Sequence, residues 1–259
     1  MFEIGGLLFI YVASALWLNY NMIKEKTIKI PSYLTSFTFI TLSFPLVNLQ
    51  NAWNIALSLL FLICIYVEII GVQNASNPKR KVFKTGFLLG CLILLDRSFC
   101  GFYPIILISL IYYQQFNWRH FIIQLLGLSY PLSLCYVLYS TVILPFKDLV
   151  LVDIYADFYR DPQWFFVIFI LLIISLKELH YNYNKKTEKS KKAFNLLFVI
   201  LMIIALQALL LSSMKFIHLF ALPIAIIIAN YLIYTMDIAN TELTYPAMKE
   251  LVRWLKKQI

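Results

Sequence analysis

Charged residues are scarce in this chain of 259 residues, at 14% of the sequence, whereas hydrophobic residues make up 61%. A soluble domain is about one-quarter charged and about half apolar, so this composition excludes an ordinary soluble domain. Glycine is scarce as well, with seven residues, and they form no phosphate-binding or dinucleotide-binding loop. The serine and paired-histidine motifs of soluble hydrolases are also missing. The absence of these motifs does not exclude a membrane enzyme, because the site of such an enzyme is assembled from single residues on different loops.

The four cysteines show no C-x-x-C spacing, and each lies in or beside an apolar segment. They are Cys64, Cys91, Cys100 and Cys135. This pattern favours packing among apolar side chains over a disulfide or a metal site. The three histidines do not converge in the topology predicted below. We therefore expect no bound metal and no cofactor.

What the chain has in abundance is apolar segments of roughly the length of a bilayer crossing. They lack the alternating pattern of β strands, so we predict an all-α, polytopic transmembrane protein with about nine spans. The predicted spans are 2–20, 31–48, 55–72, 82–95, 99–115, 119–143, 163–179, 194–213 and 216–235. Residues 1–239 then form the transmembrane domain. Apolar and basic residues at helical spacing predict an amphipathic interfacial helix over 240–259.

The basic residues lie between alternate spans. With the N-terminus outside, the inner segments hold all but four of the 22 lysines and arginines. The four outside are Arg97, Lys147, Arg160 and Lys215. By the positive-inside rule we predict a periplasmic N-terminus and a cytoplasmic C-terminus. The net charge of +9 then reflects topology, and we expect a lipid bilayer and no nucleic acid as partner.

Two adjacent charges, Asp96 and Arg97, interrupt the apolar run 82–115. As one helix this run would be roughly 51 Å long at 1.5 Å per residue, far beyond a ~30 Å hydrocarbon core. We therefore predict that the chain folds back at Asp96 and Arg97. The charges then either close a hairpin at the outer interface or contact a substrate or ion there.

The outer segment 144–162 spaces three carboxylates four residues apart, at Asp153, Asp157 and Asp161. A helix would align them on one face. The arrangement is either an acidic stripe that faces water or a site for a divalent cation that bridges a phosphate.

A second polar group, Ser212, Ser213, Lys215 and His218, is predicted at the same membrane side. A lysine that reaches the interface and an interfacial imidazole explain it without a function. Elsewhere, Glu68 near the inner end of the third span could either pair with a basic residue or take part in a proton relay. The candidates for this partner are Lys79, Arg80 and Arg119.

Two stretches, 80–132 and 215–232, carry a family resemblance. In the first, the matching positions are Lys81, Phe83, Gly86, Phe87, Phe116, Trp118, Arg119, Gly127 and Pro131. In the second, they are His218, Pro223 and Ala225. In these features the chain resembles an uncharacterised family of polytopic inner-membrane proteins from Bacteroidota. The resemblance implies a bacterial inner-membrane setting and adds no catalytic residue. Members usually begin with a further hydrophobic helix, so we expect the N-terminal part to depart from the pattern.

Two functional hypotheses follow. The favoured one is a non-catalytic inner-membrane component of cell-envelope biogenesis that acts as partner or scaffold in a membrane-protein assembly. The alternative is a polyprenyl-linked-sugar glycosyltransferase or glycan polymerase-like enzyme with its site at the periplasmic face. Its candidate catalytic residues are Asp96, Arg97, Asp153, Asp157 and His218, and its candidate substrate-binding residues are Arg97, Arg160 and Lys215. These acids and cations could act on a polyprenyl-phosphate-linked glycan.

Overall fold

The computed structural model describes residues 2–28, 32–43, 52–72, 77–113, 117–141, 162–210 and 218–235. Within these ranges the protein is all-helical, with nine α-helices in the same chain order as the predicted spans. The first five are α1 (Phe2–Lys24), α2 (Leu34–Ser43), α3 (Ala52–Val72), α4 (Pro78–Leu95) and α5 (Tyr103–Tyr112). They are followed by α6 (Trp118–Thr141), α7 (Pro162–Asn182), α8 (Glu188–Leu210) and α9 (221–235). Short 3-10 segments precede α5 at Arg97–Phe102 and α9 at 218–220.

Six of the described helices are long and apolar enough to cross a membrane, namely α1, α3, α6, α7, α8 and α9 with its preceding turn. Helix α2 has 10 residues, and the described part of this segment stops at Ser43. Helix α4 has 18 residues, but its first two turns carry Lys79, Arg80, Lys81 and Lys84. Helix α5 is also 10 residues long and has Pro104 in its first turn, where proline is tolerated.

Helices α3 and α9 form the centre of the bundle, since 67% of the apolar stretch of each is buried. The largest side chains with no exposure include Tyr66 and Ile63 on α3, Phe39 on α2 and Phe194 on α8. Helices α6 and α7 lie at the periphery, with 22% and 17% of their apolar stretches buried. Their outward faces are apolar and aromatic, as expected of helices in contact with lipid.

Helices α4 and α6 run parallel and pack closely through small residues. A Cβ atom on Gly86 would overlap the carbonyl oxygen of Gln124, and one on Gly127 would overlap that of Phe83. One on Gly90 would lie 2.6 Å from the carbonyl oxygen of Leu128. Gly86 and Gly90 form a G-x-x-x-G pattern, which lets membrane helices approach each other closely. Helix α6 continues through Pro131, and the proline ring contacts Gly90.

Candidate functional site

Contacts between helices define two ends of the bundle. At one end the hydroxyl of Ser190 donates to the carbonyl of Thr27 at 2.7 Å, and Asn195 donates to the Tyr112 hydroxyl at 2.7 Å. We call this the basic end, because it holds every lysine and arginine in the described ranges except Arg97. They are Lys24, Lys26, Lys79, Arg80, Lys81, Lys84, Arg119, Lys177, Lys185, Lys186, Lys189, Lys191 and Lys192. The clustering predicted from the sequence is thus present in three dimensions.

Lys186 is the most unusual group at the basic end. It lies in the connector between α7 and α8, yet it is buried, and its Nζ donates to Asn230 Oδ1 of α9 at 2.7 Å. Its ammonium also lies 4.5 Å from the ring centroid of Phe194 and 4.8 Å from that of Tyr234. Such cation–π contacts strengthen when water is excluded. Lys186 therefore fastens the α7–α8 connector to the central helix α9.

Burial lowers the pKa of Lys186 from its ordinary value of 10.5 to about 8, because the charged form loses hydration. The nearby carboxylate of Glu178 opposes this shift. Glu178 itself accepts a hydrogen bond from the side chain of Asn182. At neutral pH, Lys186 is thus a cation held by an amide and two rings, with a carboxylate nearby.

Glu68 pairs with a different lysine from those predicted. Its carboxylate lies 3.2 Å from the Nζ of Lys84, and this ion pair joins α3 to α4. The predicted partners Lys79, Arg80 and Arg119 were wrong, because Lys84 is one turn further into α4 and faces α3. The pair is partly exposed, so it contributes at most about 1 kcal/mol.

At the opposite end Asp96 and Arg97 mark the point where the chain reverses, between α4 and the 3-10 segment Arg97–Phe102. The carboxylate of Asp96 accepts hydrogen bonds from the backbone N–H of Ser98, at 2.9 Å, and from the Ser98 hydroxyl. Asp96 therefore caps the 3-10 segment. Arg97 is exposed, and no ion pair joins it to Asp96, both residues being among those described.

His218 lies at the same end and is buried in the 3-10 segment that precedes α9. Its Nε2 is 2.9 Å from the hydroxyl oxygen of Ser58 on α3, which is also buried. A hydroxyl beside an imidazole can serve as a structural hydrogen bond between two central helices or as a proton-transfer pair. The sequence indicated His218 but not Ser58, because the partners are 160 residues apart.

Gln207 is a further polar group that the sequence analysis missed. It lies on α8 and is buried, and neither atom of its amide has a hydrogen-bond partner. Gly101 in the 3-10 segment makes room for it, since a Cβ there would overlap the amide nitrogen. The sequence does carry a signal that could have found Gln207, namely a glutamine within a long apolar helix. Such a residue stands out because a buried amide needs hydrogen-bond partners.

The remaining candidates, Asp153, Asp157, Arg160 and Lys215, lie outside the described residues, as do Asp161 and the segment 240–259. Of the candidates that the structure does describe, Asp96 and Arg97 are neighbours in the chain, whereas His218 is held by Ser58. Across the part of the chain that is described, no group of three His, Cys, Asp or Glu residues could hold a metal ion.

Residues 2–251 match the family of unknown function DUF6427. The chain belongs to this family. No curated protein and no solved structure matches the chain. The family match includes the N-terminal helices as well as the two motif stretches.

Several motif residues of the resemblance serve helix packing. Gly86 and Gly127 lie in the interface between α4 and α6, and Pro131 packs against Gly90 there. Phe87 of α4 and Tyr130 of α6 lie on one side of that interface, with ring centroids 6.1 Å apart. These motifs thus specify a helix pair, and within the described residues His218 is the motif position that joins a polar pair.

Proposed function

We propose that the protein is a non-catalytic component of the bacterial inner membrane, where it acts as a scaffold in an assembly for cell-envelope biogenesis. The observation that carries the proposal is the set of contacts that fix the connectors at the basic end. Ser190 bonds to Thr27, Lys186 to Asn230, and Asn195 to Tyr112. Because the connectors are fixed relative to one another, the exposed lysines around them form a surface of constant shape. A scaffold needs such a surface.

The same distribution of charge supports the proposed topology. With the basic end in the cytoplasm, the positive-inside rule is satisfied by all described basic residues except Arg97. The N-terminus is then periplasmic and the C-terminus cytoplasmic, and the family resemblance to Bacteroidota proteins agrees with a bacterial inner membrane.

Two candidate catalytic side chains have structural partners, which favours the scaffold over an enzyme. Asp96 caps the 3-10 segment, and His218 bridges α9 to α3 through Ser58. An acid or base that holds the fold together is less free to exchange protons with a substrate.

Site-specific photo-crosslinking in intact membranes tests the scaffold. A photoreactive residue at Lys189, exposed at the basic end, should yield a discrete adduct with a protein partner. The matched control is Leu209, an exposed apolar residue at the other end of α8, which should yield adducts with lipid only. Equal protein adducts at both positions, or none at Lys189, would contradict the proposed surface.

An enzyme acting on a polyprenyl-phosphate-linked glycan is the second candidate, and the Ser58–His218 pair favours it. It predicts that Ser58→Ala and His218→Gln each abolish complementation of a deletion strain while membrane abundance stays normal. The Asp157→Ala variant should fail in the same way. If abundance and complementation fall together in Ser58→Ala and His218→Gln, the pair is structural and the enzyme is rejected.

A further inference from the structure

The furrow between the packed helices α4 and α6, on the side of Phe87 and Tyr130, begins at the basic end, and we call it the groove. The glycine contacts place Gly86 between Gln124 and Leu128, and Gly127 between Phe83 and Phe87. The two helices are therefore parallel, and residue 86 lies approximately level with residue 127. By this register, Arg80 on α4 and Arg119 on α6 lie within about one helical turn of each other along the pair.

Helical periodicity places both arginines on the same side of the pair. Arg80 precedes Phe87 by two turns, and Arg119 precedes Tyr130 by three turns. Because the rings of Phe87 and Tyr130 contact each other, the two stripes that contain these residues face one another across the groove. Arg80 and Arg119 therefore flank its entrance, and both are exposed.

Beyond the arginines the side chains along the groove are apolar or aromatic. Phe83, Leu126 and Tyr130 are exposed along it. Trp118, in the first turn of α6, is 67% exposed, as is typical of interface anchors. The groove thus has a cationic rim and an apolar body, which matches a phospholipid with an anionic head group and extended acyl chains.

Charges around the rim leave the arginines free for such a ligand. The nearby Lys84 is paired with the carboxylate of Glu68, so this acid is already neutralised. Asn117 accepts from the backbone N–H of Arg119 at the start of α6, whereas Asn77 makes no such bond at the start of α4. Backbone N–H groups in the first turn of α4 are then further donors on the same rim.

We propose that this groove binds an anionic phospholipid, with the phosphate held by Arg80 and Arg119 and an acyl chain lying between Phe87 and Leu126. Arginine suits this role because its planar guanidinium can donate two hydrogen bonds to one phosphate. Basic pockets between transmembrane helices are a recurring site for such head groups. The site is independent of the proposed scaffold function, since it depends only on α4, α6 and a lipid environment.

Native mass spectrometry of the purified full chain in a non-ionic detergent tests the site, with dioleoyl phosphatidylglycerol and dioleoyl phosphatidylcholine as probes. The wild type should bind phosphatidylglycerol at least tenfold more tightly than it binds phosphatidylcholine. The Arg80→Gln/Arg119→Gln variant should lose about fivefold in affinity for each arginine. Phosphatidylcholine binding should not change.

The control variant Lys177→Gln/Lys189→Gln removes the same charge from exposed positions elsewhere at the basic end. It should keep wild-type affinity; an equal loss would overturn the site in favour of general attraction. Glycerol phosphate, the head group alone, should not compete at concentrations where the lipid saturates. Full competition would overturn the role of the groove.

If the double variant melts well below the wild type in detergent, Arg80→Lys/Arg119→Lys takes its place. This variant keeps the charge and loses the two-pronged donor, so it should show an intermediate loss of affinity. Wild-type affinity in a folded lysine variant would overturn the assignment of the phosphate to the two arginines.

Discussion

Lys186 is a buried cation, and its contribution to the free energy of unfolding therefore depends on pH. In the folded protein its pKa is lowered to about 8, whereas the ordinary value is 10.5. Between these values the unfolded chain binds more protons than the folded protein, so the free energy of unfolding rises with pH. The cost of burying the cation is fully present below pH 8 and is relieved as the pH passes 10.5.

We therefore expect the wild type to gain stability between pH 8 and pH 10 relative to Lys186→Met, which has a similar shape and no charge. The gain should be on the order of 1 kcal/mol per pH unit at most. Unfolding in detergent, followed by circular dichroism across this range, provides the measurement. The neighbouring exposed Lys185→Met variant is the control. If the wild type gains as much stability relative to Lys185→Met as relative to Lys186→Met, the gain does not come from Lys186.

Asp96 and Arg97 are adjacent but should respond differently to substitution. Replacing Asp96 with alanine removes the cap of the 3-10 segment and should cost about 1 kcal/mol. Asp96→Asn keeps an acceptor for the Ser98 N–H and should cost less. Arg97→Gln should be nearly neutral, because Arg97 is exposed and makes no ion pair with Asp96.

Thermal unfolding of the Asp96→Ala, Asp96→Asn and Arg97→Gln variants tests this order. A larger cost for Arg97→Gln than for Asp96→Ala would show that the arginine holds the turn instead. Complementation separates stability from function, since normal abundance with lost complementation in Arg97→Gln would indicate a ligand or partner at this tip.

The sequence indicated the turn at Asp96 and Arg97 because the largely apolar run 82–115 is too long to cross a bilayer once. It could not indicate Lys186. A lysine in a polar connector is normally solvated, and here its burial depends on Asn230, which is 44 residues away. Ser58 was missed for the same reason. Side-chain pairs between distant helices depend on the packing of the helices themselves.

At the scale of helices, the close approach of α4 and α6 is the contact most sensitive to side-chain size. Gly86→Ala would place a methyl group against the backbone of α6, and overpacking of this kind typically costs about 1–3 kcal/mol. A Cβ atom on Gly5 of α1 would meet no other atom within 4 Å. Gly5→Ala should therefore be neutral or slightly stabilising, because alanine favours helix by up to about 1 kcal/mol.

Unfolding of both variants in sodium dodecyl sulfate titrations measures the difference. Equal midpoints for Gly86→Ala and Gly5→Ala would contradict the tight interface. Gly127→Ala, which meets Phe83 and Phe87 from the opposite helix, should match Gly86→Ala.

Within the described residues, the order of the helices followed from hydropathy, whereas the length of α5 did not. The predicted spans 31–48 and 99–115 correspond to α2 and α5, which are 10 residues each as described. For α5, apolar residues of the predicted span also occupy the preceding 3-10 segment Arg97–Phe102, so composition overstates the length of this α-helix. Local signals set the starts of these elements, Pro104 in the first turn of α5 and the capping carboxylate of Asp96 before the 3-10 segment, and they act over only a few residues.

At the scale of the whole molecule, orientation is the property on which the scaffold and the enzyme hypotheses both depend. The chain carries a natural probe of it, because Cys100 is exposed in the 3-10 segment at the end opposite the lysines. If that end faces the periplasm, a membrane-impermeant maleimide should label the wild type in intact cells. The Cys100→Ser variant should lose most of this labelling.

A cysteine at the basic end supplies the opposite test. Lys189 is exposed, whereas Lys186 is buried and would be protected from reagent on either side of the membrane. In a Cys100→Ser background, Lys189→Cys should therefore be labelled only after the cells are permeabilised. The positive-inside rule makes this the expected direction, because translocating the many cations of the basic end would be unfavourable. Labelling of Lys189→Cys in intact cells, together with protection of Cys100, would reverse the bundle and move Asp96 and His218 to the cytoplasmic side.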